Sequence, residues 1–180
     1  MDLTPLRIGA VRRLVAAYGI NQLGDWSGEI ALAVGMYAAT GSPLAVAATL
    51  LAHRAVLAPL APLLVAKLEQ RFARPLLGLY LLQAIVFTAI AATVDSAPAV
   101  VIALVLLDGL LAPTARAFSR ASLATLTRPL GLLRQTNALA NVLFTVNGVL
   151  APALGGLLVA FAGPAAALLA DAVHSFSRRR

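Results

Sequence analysis

Long apolar runs broken by short loops constrain this chain more than any other feature. Each run meets or approaches the ~20 residues that cross ~30 Å of hydrocarbon at 1.5 Å per residue. Six can be drawn, at about residues 14–40, 44–66, 75–94, 99–118, 138–161 and 165–177. "GSP" (Gly41 to Pro43), "DSAP" (Asp95 to Pro98) and "AGP" (Ala162 to Pro164) separate three of the pairs. The sixth run has only 13 residues, about 20 Å of helix, and Arg178, Arg179 and Arg180 follow it, so a truncated last helix is expected. Pro113 falls inside the fourth run, where a kink is expected. The first run is read as a retained helix and not a signal peptide. Its apolar part is too long, Arg12 and Arg13 precede it, and a Gly-Ser-Pro turn stands where a cleavage site would be.

Composition agrees: 61% of the 180 residues are hydrophobic and 12% charged, against about 45–50% and about 25% in soluble domains. There is no cysteine, and two histidines are too few for a histidine-rich metal site. No metal or other cofactor is expected. The net charge of +7 follows membrane topology. With the N-terminus inside, Arg7, Arg12, Arg13, Lys67, Arg71, Arg74, Arg116, Arg120, Arg128, Arg134 and the three terminal arginines all fall on the cytoplasmic side. An all-α, multi-pass protein of the cell inner (plasma) membrane, with both termini cytoplasmic, is therefore expected. The cations call for no nucleic-acid partner.

Against this background the polar residues at depth stand out. An ionised carboxylate at the centre of a membrane helix costs roughly 2.5–3.5 kcal/mol on insertion scales. Asp25 lies about 16 Å into the first run, and Arg54 and Asp108 about 14–15 Å into theirs. Asn21, Asp25 and Glu29 form an i, i+4, i+8 stripe beside Gly24 and Gly28, so one face of the helix is small and polar. Either that face is a close helix contact whose acids pair with Arg54, or it lines a watery cavity in which an acid binds a proton or a cationic substrate. Arg54, the lone cation at its depth, calls for an acid among Asp25, Glu29 and Asp108, with Asp25 first and Asp108 second; the alternative is that it binds an anionic substrate. His53 is adjacent to Arg54 and so lies on a different helix face. Arg116 and Arg120 fall near the interface, where snorkelling or contact with the second loop is expected. Asp171 and His174 are spaced to pair locally, and Trp26 is expected to pack between helices, the alternative being that it stacks on a substrate.

"LGDW" (Leu23 to Trp26), "TGSPLAVAATLLAHRAVLAPLAPLL" (Thr40 to Leu64), "QTNAL" (Gln135 to Leu139), "APALGGLL" (Ala151 to Leu158) and "GPAAALLADAVHSF" (Gly163 to Phe176) resemble the N-terminal six-helix half of a major facilitator superfamily transporter. The nearest likeness is to bacterial efflux permeases of the enterobactin-exporter type. The resemblance implies a secondary transporter, an antiporter in which a six-helix bundle is half of a twelve-helix fold. It implies alternating access around a central cavity, export of a small amphipathic drug-like or siderophore-like compound, and a second half or another copy as partner; proton coupling is expected at Asp25 or Asp108, the acids near the midplane. Two motifs depart from the family pattern. The gating loop has Ala66, Gln70, Arg71, Arg74 and Pro75 where the family has glycine, aspartate and basic residues, so its aspartate is missing. The fifth-helix motif reads Ala151, Pro152, Ala153, Leu154, Gly155, Gly156, keeping the proline and the glycine pair.

An enzyme is not expected. "DGLLAPTAR" (Asp108 to Arg116) resembles a head-group transferase motif only in part, with Pro113 where arginine should stand and no acid between Asp108 and Asp171 to share a metal. There is also no glycine-rich phosphate loop.

Overall fold

The computed structural model describes residues 3–71 and 75–176, and every regular element within them is helical. Helix α1 (Gly9–Thr40) contains no proline and ends where Gly41 takes a left-handed conformation (φ 63°), its N–H bonded to the Tyr37 carbonyl at 2.7 Å. Ser42 then caps α2 (Pro43–Leu51) by accepting from the Ala45 N–H at 3.3 Å, with Pro43 at the first turn, where its missing N–H is not needed.

The second run is not one helix. After α2 the backbone widens into a π-helical turn (Ala52–Val56), passes through a 3₁₀ turn (Ala58–Leu60) and resumes as α3 (Ala61–Arg71). Pro59 explains the break. In α register its ring would meet the Ala55 carbonyl, and no N–H would be left to bond it. Pro62 sits near the start of α3, where proline is tolerated.

Helix α4 (Pro75–Thr93) matches the third run. Helix α5 (Pro98–Thr127) passes Phe118, the expected end of the fourth run, by about 2.5 turns. Ser119, Leu123 and Thr127 recur every four residues on its buried face, and Leu123 packs with Val11, Val15 and Leu139. The arginines there mark no helix end. Pro113 lies inside α5, and next to it the Thr114 hydroxyl donates to the Leu110 carbonyl at 2.6 Å. Helix α6 (Leu133–Phe176) joins the fifth and sixth runs across one non-helical residue, Gly163 (φ 82°, ψ 166°), a conformation suited to glycine.

Two packing regions define the ends of the bundle. The start of α1, the end of α5 and the start of α6 meet around Val11, Val15, Leu123 and Leu139. At the opposite end a side chain on Gly35 would collide with Val94 and Pro164, so the turns after α1 and α4 and the Gly163 break lie near one another. Arg12, Arg13, Arg128 and Arg134 belong to the first end.

Among the described residues three stretches are long and apolar enough to cross a membrane: Leu76–Thr93, Pro98–Leu130 and Leu133–Leu169. They correspond to the third run, the fourth, and the fifth with part of the sixth. In the last, only 17% of the most apolar window is buried within the chain, against 39% and 44% in the other two. Helix α6 thus presents most of its apolar surface outward.

Candidate functional site

Helices α1, α5 and the π turn enclose a cavity of about 170 Å³. Helix α1 contributes Asp25, Trp26 and Glu29, the π turn His53 and Arg54, and α5 Gly109, Ala112, Pro113 and Arg116. The α5 residues follow i, i+3, i+4, i+7 spacing, so they line one face. Three of the four are small or compact, and the space in front of Arg116 follows from that.

Close approach of the π turn to α5 requires Gly109. A side chain there would run into the His53 carbonyl oxygen. Helices α1 and α6 touch in the same way at Gly155, whose missing Cβ would stand 2.6 Å from the Ser27 carbonyl oxygen. Of the fifth-helix motif, Gly155 therefore makes the contact, whereas Gly156 faces open space and Pro152 is half-buried.

The polar groups fall into three linked sets. Arg54 forms a two-pronged ion pair with Glu29, Nε donating to Oε1 at 2.7 Å and Nη2 to Oε2, and its guanidinium stands 4.2 Å above the Trp26 ring. Trp26 meets Phe144 edge-on at 5.9 Å. Asp108, 1% exposed, lies behind the cavity, with His53 Nε2 at 2.9 Å from one carboxylate oxygen and Gln83 Nε2 donating to the other at 3.4 Å. Asp25 accepts from Asn21 Nδ2 at 3.2 Å and lies 4.0 Å from Arg116 Nη2. Arg116 Nε in turn donates to Gln22 Oε1 at 3.2 Å, and its guanidinium lies 5.4 Å from the Phe144 ring. One turn further along α5, Arg120 donates to the Tyr18 hydroxyl.

The cavity thus gathers Asp25, Glu29 and Arg54, with Asn21 supporting Asp25 and Asp108 reached through His53. Three expectations are corrected. Arg54 pairs with Glu29, not with Asp25 or Asp108, because the π turn carries it along α1 beyond Asp25. His53 and Arg54 line the same cavity although adjacent, since a π turn rotates less per residue than an α turn. Arg116 and Arg120 turn inward onto Gln22 and Tyr18 and do not snorkel. Trp26 packs between helices as expected, against Phe144 of α6, and also carries the Arg54 guanidinium on its face. Of the gating loop, Arg74 lies outside the described residues, as do the side chains of Gln70, Arg71, Asp171 and His174.

Arg116 had a signal in the sequence. It stands eight residues after Asp108, the same spacing that linked Asn21 to Glu29. Comparison of the chain with family models, with curated proteins and with solved structures finds no match.

Proposed function

We propose that this chain is a six-helix transporter bundle of the major facilitator kind, embedded in the inner membrane with both termini cytoplasmic, that takes part in proton-coupled export of a small amphipathic compound. One observation carries the reading: two acids, two arginines and a histidine converge on a cavity amid helices of membrane-spanning length and apolarity. Charged groups at that depth persist where they face a bundle interior or water, and they commonly mark a substrate or proton path. Asp25 is the coupling acid in this reading. It borders the cavity and, among the described residues, is held only by Asn21 and a distant Arg116, so it can exchange a proton without breaking a tight pair.

A second reading is favoured by the open side of the same cavity. The Arg54 side chain is 49% exposed and that of Arg116 34% exposed, which suits water or a protein partner and not lipid. In that reading the bundle transports only when joined to a second bundle or another copy.

The test uses everted membrane vesicles containing the chain, a respiration-driven proton gradient and a fluorescent rhodamine as cargo. Gradient-dependent accumulation above that of vesicles lacking the chain is expected, and Asp25→Asn at equal protein level abolishes it. Unchanged accumulation in Asp25→Asn removes that residue from the mechanism. No accumulation by the wild type alone, restored on fusion to a second bundle, selects the second reading.

A further inference from the structure

Resting on the reading of this cavity as a transport site, we infer that it binds the carboxylate of a small aryl carboxylate, with Arg116 as the anion-recognising group and Trp26 in its wall. The two cavity arginines are unequally engaged. Arg54 is committed, holding both oxygens of Glu29 while stacked on Trp26. Arg116 is not. Among the described residues one hydrogen bond holds it, from Nε to Gln22, and its nearest acid oxygen is 4.0 Å away, beyond hydrogen-bond range. A guanidinium has five N–H donors in a planar fork that fits a carboxylate bidentately. Most of that fork is open, on a side chain 34% exposed at the cavity wall. Behind it Gln22, 1% exposed and not part of the cavity lining, accepts from Arg116 at Oε1, and among the described residues its Nε2 has no acceptor.

Size and lining limit the rest of the ligand. The cavity of about 170 Å³ compares with the roughly 150 Å³ that admits benzene in an engineered apolar cavity, so a single aromatic ring fits within it. Trp26, Ala112 and Pro113 provide apolar wall for it. The ionised Asp25 carboxylate competes with the ligand for the Arg116 fork. Neutralising it therefore strengthens binding.

The chain contains a single tryptophan, and it lies in this cavity, so intrinsic fluorescence reads the site directly. The full chain in lipid nanodiscs is titrated with 4-bromobenzoate, whose bromine quenches at contact range, and in parallel with 4-bromobenzyl alcohol and 4-bromobenzylammonium. Saturable quenching by the benzoate, with affinity about tenfold or more above the other two, is expected. Arg116→Gln removes the saturable component, Asp25→Asn tightens it by about tenfold, and Arg116→Lys, which keeps the charge without the fork, weakens it by about tenfold. Equal quenching by all three compounds overturns the proposal, as does benzoate binding unchanged in Arg116→Gln. Should Arg116→Gln lose its helical circular dichroism, Arg116→Lys decides, and unchanged affinity there overturns the assignment. Rhodamine flux without benzoate selectivity sinks this inference and leaves transport standing; the converse result does the reverse.

Discussion

The Arg54–Glu29 pair sets a measurable coupling energy. Exposed ion pairs contribute about 0.2–1 kcal/mol, and charge-assisted bonds made in pairs are roughly twice as strong as neutral ones. With Glu29 13% exposed and Arg54 49% exposed, the pair falls between the surface and buried cases, so a coupling of about 1–2 kcal/mol is expected. Arg54→Ala also loses the contact with Trp26, worth about 0.5–1 kcal/mol at an exposed site, giving a total cost of about 1.5–3 kcal/mol. Glu29→Gln costs less, because Arg54 keeps its place on the ring. In the double variant the pair is gone from both sides, and the loss falls short of the sum of the singles by the coupling energy. The parallel cycle of Arg54 with Asp25 should give less than about 0.5 kcal/mol, the range of residues that share no contact. Both cycles can be read by titrating the micellar protein with dodecyl sulfate and following helicity. A coupling below about 0.5 kcal/mol for Arg54 with Glu29, or a larger one with Asp25 than with Glu29, would refute the assignment.

Two further outcomes are checked by the same titration. Gly155→Ala drives a methyl group into the Ser27 carbonyl and should destabilise the bundle by about 1–3 kcal/mol, as overpacking does; Gly156→Ala, with no atom within 4 Å, should be neutral or stabilising by up to about 1 kcal/mol. His53→Leu leaves the buried Asp108 carboxylate, among the described residues, with only its long bond from Gln83 and should cost about 3–5 kcal/mol, whereas His53→Gln, which keeps a donor, should recover a large part of that loss.

Helix ends were readable where the backbone itself demanded a residue. Gly41 and Gly163 both take positive φ, and Pro43, Pro98 and Pro164 each follow a turn, so the punctuation of the runs could be placed from the letters alone. The extension of α5 was not, because a hydropathy reading stops at Arg116 and Arg120. Those arginines have partners in the polar atoms of Gln22 and Tyr18, side chains of another helix whose proximity no local pattern encodes. The polar stripe of α1 was legible for the opposite reason: its spacing is local, and it does border the cavity through Asp25 and Glu29.

The second run shows how one residue separates what composition can tell from what it cannot. Its apolar content satisfies a membrane span throughout, but Pro59 ends the α register, and the strain is taken up in the preceding turn as a π bulge. The rule that neighbours point apart assumes about 100° of rotation per residue, the value for 3.6 residues per turn. Bonding to the fifth residue instead of the fourth widens the turn and reduces that rotation. Hence His53 reaches Asp108 on α5 while Arg54 reaches Glu29 on α1, and both still border one cavity. The acids on the two helices would otherwise lack these partners. The proline that breaks the span is thus tied to the geometry by which one five-residue segment links the charges of two others.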